Sequence, residues 1–276
     1  MPAQALGTGI DLYYESHGDG EPLVLIPSTG YAGNVFDHHQ VPELSKSLRV
    51  ITFDQRGCGR STAAGGVYTI DQMACDVYAL LTHLKIESAQ VLGHSIGGRV
   101  ALSLALNFPG RVKSLILAAS GSGTAAQWGD GCVPGVPWRW VEPWEERSFE
   151  EFVRYDVCET ETYFTDDFRA NHPEQVQAMY RAAWSRHAKW PEYIRICIAR
   201  HTWDATHRLG EVRPPTLVVI GDHDLGGANH VHQAKILAER IPNAELKVLP
   251  GQSHGFFWQA HEETNAWILD WVRKHT

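Results

Sequence analysis

The chain of 276 residues lacks the marks of several large classes of protein. It holds no apolar run of about 18 residues, so no segment reads as a membrane span and no membrane partner is expected. The opening stretch MPAQALGTGIDLYY has neither the basic start nor the apolar block of a secretory signal, and a cytoplasmic location is the expectation. Cysteine is sparse. Cys58, Cys75, Cys132, Cys158 and Cys197 are odd in number, and no pair has CxxC spacing. That argues against a disulfide framework and structural zinc, and for buried reduced thiols. Positive charge is also short, with 24 Lys and Arg against 32 Asp and Glu, a net charge of −8. Without a basic stripe to offset it, such a surface repels a phosphate backbone, and no nucleic-acid partner is expected. Repeats and low-complexity tracts are missing too.

Histidine, by contrast, is plentiful at 15 residues, densest at 38–40 and 223–232. Neither group has HExxH spacing or a clear third ligand beside it, so no metal is expected. A hydrophobic fraction of 43% with 20% charged residues is that of a globular protein, and the length suits one large α/β domain or two small ones.

Short β-branched runs alternate with helical periodicities, which predicts a mainly parallel sheet covered on both faces. Strands are predicted at 9–15, 23–26, 49–53, 89–92, 113–118, 216–220 and 244–249. Helices are predicted at 70–84, 97–107, 231–241 and 259–274. Residues 122–207 break this rhythm with prolines, acidic helical stretches and little strand signal. The partition is therefore a core of residues 1–121 and 208–276 interrupted by a helical cap or lid, 122–207.

The chemistry concentrates where predicted strands end. Gly93-His94-Ser95-Ile96-Gly97-Gly98 lies between the strand at 89–92 and the helix at 97–107. A G-x-S-x-G on such a sharp turn is a nucleophile elbow, which lifts the Ser95 hydroxyl to the carboxyl edge of the sheet. The small residues are needed because the backbone is strained and its neighbours crowd it. A serine needs a base, and His254 sits on a Gly-flanked loop after the last strand. The base needs an orienting carboxylate. Of Asp222 and Asp224, the first is expected to cap its turn and the second, deeper in the loop, to hold the histidine. His94 is read as packing.

The order Ser95, Asp224, His254 on three successive strand ends resembles the α/β-hydrolase superfamily. Residues 54–61 also look like that family's loop after the fourth strand. Residues 168–173 and 209–215 are similar to the enol-lactone hydrolase and small-esterase branch. The resemblance implies an α/β-hydrolase fold with a mostly parallel eight-stranded sheet, helices on both faces and a helical cap insertion. It implies a serine hydrolase that needs no cofactor. Family members often carry His-Gly after the second apolar strand, where this chain has Pro27-Ser28-Thr29-Gly30-Tyr31. The oxyanion donors are assigned to the N–H groups of Thr29 and Ile96.

Seven of the ten tryptophans lie in 122–207. Trp138, Trp140 and Trp144, with Tyr31 and Phe257 beside the oxyanion and base loops, are the candidate substrate-binding residues. The expected partner is a small hydrophobic carboxylic ester or lactone. Two alternatives stay open: hydrolysis of a carbon–carbon bond in a dicarbonyl compound by the same triad, and a non-catalytic ligand receptor of this fold.

Overall fold

A computed structural model describes residues 4–124, 148–224 and 229–276. Trp138, Trp140 and Trp144 lie outside the described residues. The strands are β1 (Gln4–Ala5), β2 (Asp11–Leu12), β3 (Tyr14–His17), β4 (Glu21–Ile26), β5 (Leu48–Phe53), β6 (Ala89–His94), β7 (Val112–Ala118), β8 (Thr216–Gly221) and β9 (Ala244–Leu249). The helices are α1 (Gln40–Leu44), α2 (Ile70–His83), α3 (Ile96–Asn107), α4 (Phe149–Cys158), α5 (Asp166–Asn171), α6 (Pro173–Ser185), α7 (Trp190–Thr202), α8 (His230–Arg240), α9 (Phe256–Gln259) and α10 (His261–Lys274).

Seven strands form one sheet in the order β3-β5-β4-β6-β7-β8-β9. All pair in parallel except β3, which runs antiparallel to β5 at the edge. Crossovers between parallel strands need helices, and α2, α3 and α8 supply them. The count is seven in this sheet and not the expected eight. The segment predicted as one strand at 9–15 divides because Tyr13 turns its backbone elsewhere: its N–H donates to Ser61 Oγ at 2.9 Å and its carbonyl accepts from Asp54 at 3.0 Å. Upstream, Gly7 and Gly9 take positive φ, and β1 folds back on β2 as a separate two-stranded ladder.

Central strands are apolar on both faces because both faces are covered. Leu23, Val24, Leu25 and Ile26 of β4 are wholly buried, as are Val91 and Leu92 of β6. Helix α2 starts at a reciprocal cap, in which Thr69 Oγ1 accepts from Gln72 N–H and Gln72 Oε1 accepts from Thr69 N–H. The helix predicted at 259–274 is α10, and the short α9 precedes it across Ala260. Between β7 and β8 the chain departs from the sheet through α4 to α7.

A tight backbone approach in the core joins β6, α3 and β4. A Cβ on Gly93 would stand 2.1 Å from the Gly97 carbonyl oxygen, and one on Gly97 would stand 2.3 Å from that of Ile26. Both obstacles are backbone, which cannot swing aside. Gly97→Ala is therefore expected to lower stability by about 2–3 kcal/mol, read as a lower urea midpoint. Gly110→Ala, whose added carbon meets nothing within 4 Å, is expected to leave that midpoint nearly unchanged.

Candidate active site

Ser95 follows β6 and opens α3 with φ 58° and ψ −119°. A non-glycine residue rarely holds a positive φ, and here the neighbours over-determine it. Ser95 N–H donates to Ala118 O at 2.9 Å, while its carbonyl accepts from Gly98 N–H at 3.0 Å and from Ser120 Oγ at 2.6 Å. Three bonds from two elements hold the turn at the carboxyl end of β6.

The loops after β8 and β9 meet at the same edge. His254 Nδ1 lies 2.7 Å from Asp224 Oδ2, and both residues are buried. Asp222 does something else: its Oδ1 accepts from Gly251 N–H at 2.6 Å, tying the two loops together. The His254 loop is held from further directions. Ser253 Oγ donates to Tyr163 O at 2.5 Å, Gly255 N–H donates to the same oxygen at 2.7 Å, and His94 Nε2 lies 3.0 Å from His254 O. His94 is thus more than packing. Burial holds its imidazole well below its ordinary range, so it is neutral, and a neutral ring bonded to a carbonyl carries its proton on Nε2. Its ring centroid is 4.7 Å from that of His254, so the residue preceding Ser95 touches the histidine of the neighbouring loop.

Burial alone would raise the Asp224 carboxyl. The charges and hydrogen bonds of His254 and His230 outweigh it and hold the group well below the usual carboxylate range. His230 was not legible as part of this site, yet its Nδ1 lies 3.2 Å from Asp224 Oδ1. Asp224, His230 and His254 bring three potential ligand atoms within 4.8 Å of one another, a spacing open to a metal ion. The two hydrogen bonds to the carboxylate account for that spacing by themselves.

Thr29 and Ile96 come from adjoining elements. The start of α3 packs on the Ile26 and Pro27 carbonyls at the end of β4, two residues before Thr29. Ile96 is the first residue of α3, so its N–H has no partner within the helix. The loop carrying Thr29 is held by Gln55, whose Nε2 donates to Pro27 O at 3.2 Å and Ser28 O at 3.0 Å. Thr29 Oγ1 accepts from Arg200 Nη1 of α7 at 3.5 Å, a contact between residues 171 positions apart with no local signal.

Tyr31 is buried, with its ring 5.7 Å from Tyr163 and 5.2 Å from His187. Phe257 is also buried and packs on His94 at 5.2 Å and Phe36 at 5.9 Å, which is a core environment. Among the insertion's described tryptophans, Trp184 and Trp190 pack on Phe149, and Trp203 Nε1 donates to Asp71 Oδ1 at 3.2 Å.

Comparison with known proteins places these observations in context. Residues 21–260 match the family model described as alpha/beta hydrolase fold. The chain is 30% identical over 247 residues to 3-oxoadipate enol-lactonase 2 of Acinetobacter baylyi, covering 87% of this chain and 85% of that one. It is 29% identical to a non-heme chloroperoxidase of Kitasatospora aureofaciens, covering 99% of this chain and all of the other. The crystal structure of the enol-lactonase from Burkholderia xenovorans superposes with a TM-score of 0.82 at 26% identity, covering 96% of this chain and 97% of that one.

One carboxyl of α4 also bears on the site. Burial pushes Asp156 up to about 6, against opposing pulls from His254 and Arg200. The folded chain therefore keeps this proton at a pH where the unfolded chain has released it. The resulting stability is complete below the ordinary carboxylate value of 3.8 and is lost as pH rises through about 6. Asp156→Asn removes this titration. It is expected to be more stable than the parent at pH 7 by about 2 kcal/mol, with the gap closing toward pH 4 in urea unfolding series.

Proposed function

Because the chain belongs to the alpha/beta hydrolase fold family, whose model spans residues 21–260, we propose that it is a serine hydrolase of carboxylic esters or lactones working through Ser95, His254 and Asp224. The observation that carries this reading is the buried 2.7 Å bond between His254 Nδ1 and Asp224 Oδ2. That bond fixes the imidazole with its other nitrogen, Nε2, free to take a proton.

In the reaction, Ser95 Oγ attacks the carbonyl carbon as its proton passes to His254 Nε2. The oxyanion is stabilised by the N–H groups of Thr29 and Ile96, the latter at the positive end of α3. Collapse of the tetrahedral adduct breaks the bond to the alkoxy oxygen, which leaves with the proton from His254. Water then loses a proton to His254 and attacks the acyl carbon. A second collapse frees the carboxylic acid and returns the proton to Ser95 Oγ. For a lactone the leaving oxygen stays tethered to the acid. Asp224 keeps its charge throughout and stabilises the imidazolium. Water is the one co-reactant.

The helical stretch within 122–207 is read as the cap over this site. Tyr31, with Tyr163 from the segment after α4, forms its aromatic wall beside Thr29. The lactone branch draws support from the two relatives named enol-lactonase. Phe257 is left out of the binding set because its ring is spent on His94 and Phe36.

The test is a hydrolysis screen of p-nitrophenyl esters of increasing chain length beside a panel of lactones, with Ser95→Ala run in parallel. The parent is expected to turn over at least one of these series, and Ser95→Ala to lose at least about 1,000-fold in kcat. An alanine variant that keeps full activity overturns the assignment. A higher kcat/KM for lactones than for open esters of equal size places the chain in the lactone branch.

A further inference from the structure

The carboxylate of Asp224 serves two imidazoles. His254 holds Oδ2 at 2.7 Å, and His230, the first residue of α8, holds Oδ1 at 3.2 Å. The two rings lie nearly parallel, 19° apart in plane and 4.8 Å apart in centroid. All three residues are buried, His230 at 7% exposure. Five residues separate Asp224 from His230 in the chain.

Resting on the triad reading above, we propose that His230 is a positioning residue for the base. Its Nδ1–H holds Asp224 Oδ1, stops the carboxylate from turning about its Cβ–Cγ bond, and takes up part of the charge that His254 would otherwise face alone. The chemistry requires a donor there. A buried carboxylate oxygen left without one costs the full desolvation of that oxygen, and a carboxylate free to turn does not hold an imidazole in one tautomer. Burial lowers the proton affinity of His230 against the opposing pull of Asp224, and the 3.2 Å contact puts Nδ1 where a donor to the carboxylate is needed.

The groups that face these rings are known and stay constant on substitution. Around His230 they are Asp224, His254, Arg200 and His94. Around His254 they are Asp224, His230, His94, Tyr163 and Asp156. A difference between variants at position 230 therefore reports on that ring alone.

His230→Phe keeps a stacked ring and removes the N–H, whereas His230→Asn places an amide N–H at about the position of Nδ1. With p-nitrophenyl acetate as probe, the phenylalanine variant is expected to lose about tenfold in kcat with KM unchanged. Its acid limb in kcat/KM is expected to move to higher pH by about half a unit to one unit, because the whole carboxylate charge then stabilises the imidazolium of His254. The asparagine variant is expected to recover both toward the parent. The far-downfield proton resonance of the His254 Nδ1–H should shift in the phenylalanine variant and return in the asparagine variant. A phenylalanine variant with the parent's kcat, pH limb and downfield resonance overturns the proposal. So does an asparagine variant that folds, by circular dichroism, but recovers none of them. The resonance needs no turnover, so it judges His230 even if Ser95→Ala stays active and the triad reading itself falls.

Discussion

A carboxylate removed from water must be met by donors, and Asp224 shows how this chain satisfies that requirement. Its two oxygens face His254 and His230. The same demand that keeps the charge from being expelled also fixes the direction of an imidazole. The loops that carry these groups follow β8 and β9, neighbouring parallel strands whose register runs from Thr216 opposite Ala244 to Gly221 opposite Leu249. Parallel pairing brings both strands to an end at one edge, so two loops distant in sequence deliver their side chains to one place. Asp222 bonded to Gly251 N–H then locks the loops in that relation.

The Ser95 side of the candidate site depends on a different constraint, steric and not electrostatic. Helix α3 starts against the end of β4 only because Gly97 has no side chain to meet the Ile26 carbonyl, and Ser95 takes φ 58° because that close approach leaves no gentler turn. Two separate devices, a satisfied buried charge and a crowded backbone, thus produce the two halves of the constellation. His94 joins them. It belongs to the strand that ends in the elbow, and its ring nitrogen meets the carbonyl of His254. A shift of either half is felt by the other through that ring.

How much of this was legible in the sequence follows the range of the interactions. Periodicity located the central strands and α2 closely, because burial on both faces leaves its pattern in consecutive residues. The sharp turn at Ser95 was legible from its run of small residues, and the different hydrogen-bond partners of Asp222 and Asp224 follow their depth in one loop. Features that depend on distant parts of the chain were not. The segment 9–15 gives no hint that Ser61 and Asp54 will capture the backbone of Tyr13. The eighth strand came from resemblance and not from any run of residues, and the sheet has seven. Phe257 looked as suited to a pocket wall as to a core, and only its contacts with His94 and Phe36 separate the two. His230 sits at the start of an ordinary amphipathic helix, where nothing local distinguishes it from the exposed histidines elsewhere.

The segment between β7 and β8 ties the Thr29 loop to the His254 loop. Tyr163 offers its ring to Tyr31 and its backbone carbonyl to both Ser253 and Gly255, the two neighbours of His254. Arg200 reaches Thr29 from α7, and Asp156 lies in the fields of both His254 and Arg200. The helices that depart from the sheet are therefore bonded to the loop that carries the imidazole and to the loop that carries Thr29. Hydrogen bonds to backbone carry no information about side-chain identity, so Tyr163 clamps the His254 loop whatever its own ring contacts. The clamp on the His254 loop is thereby independent of which side chain stands at position 163.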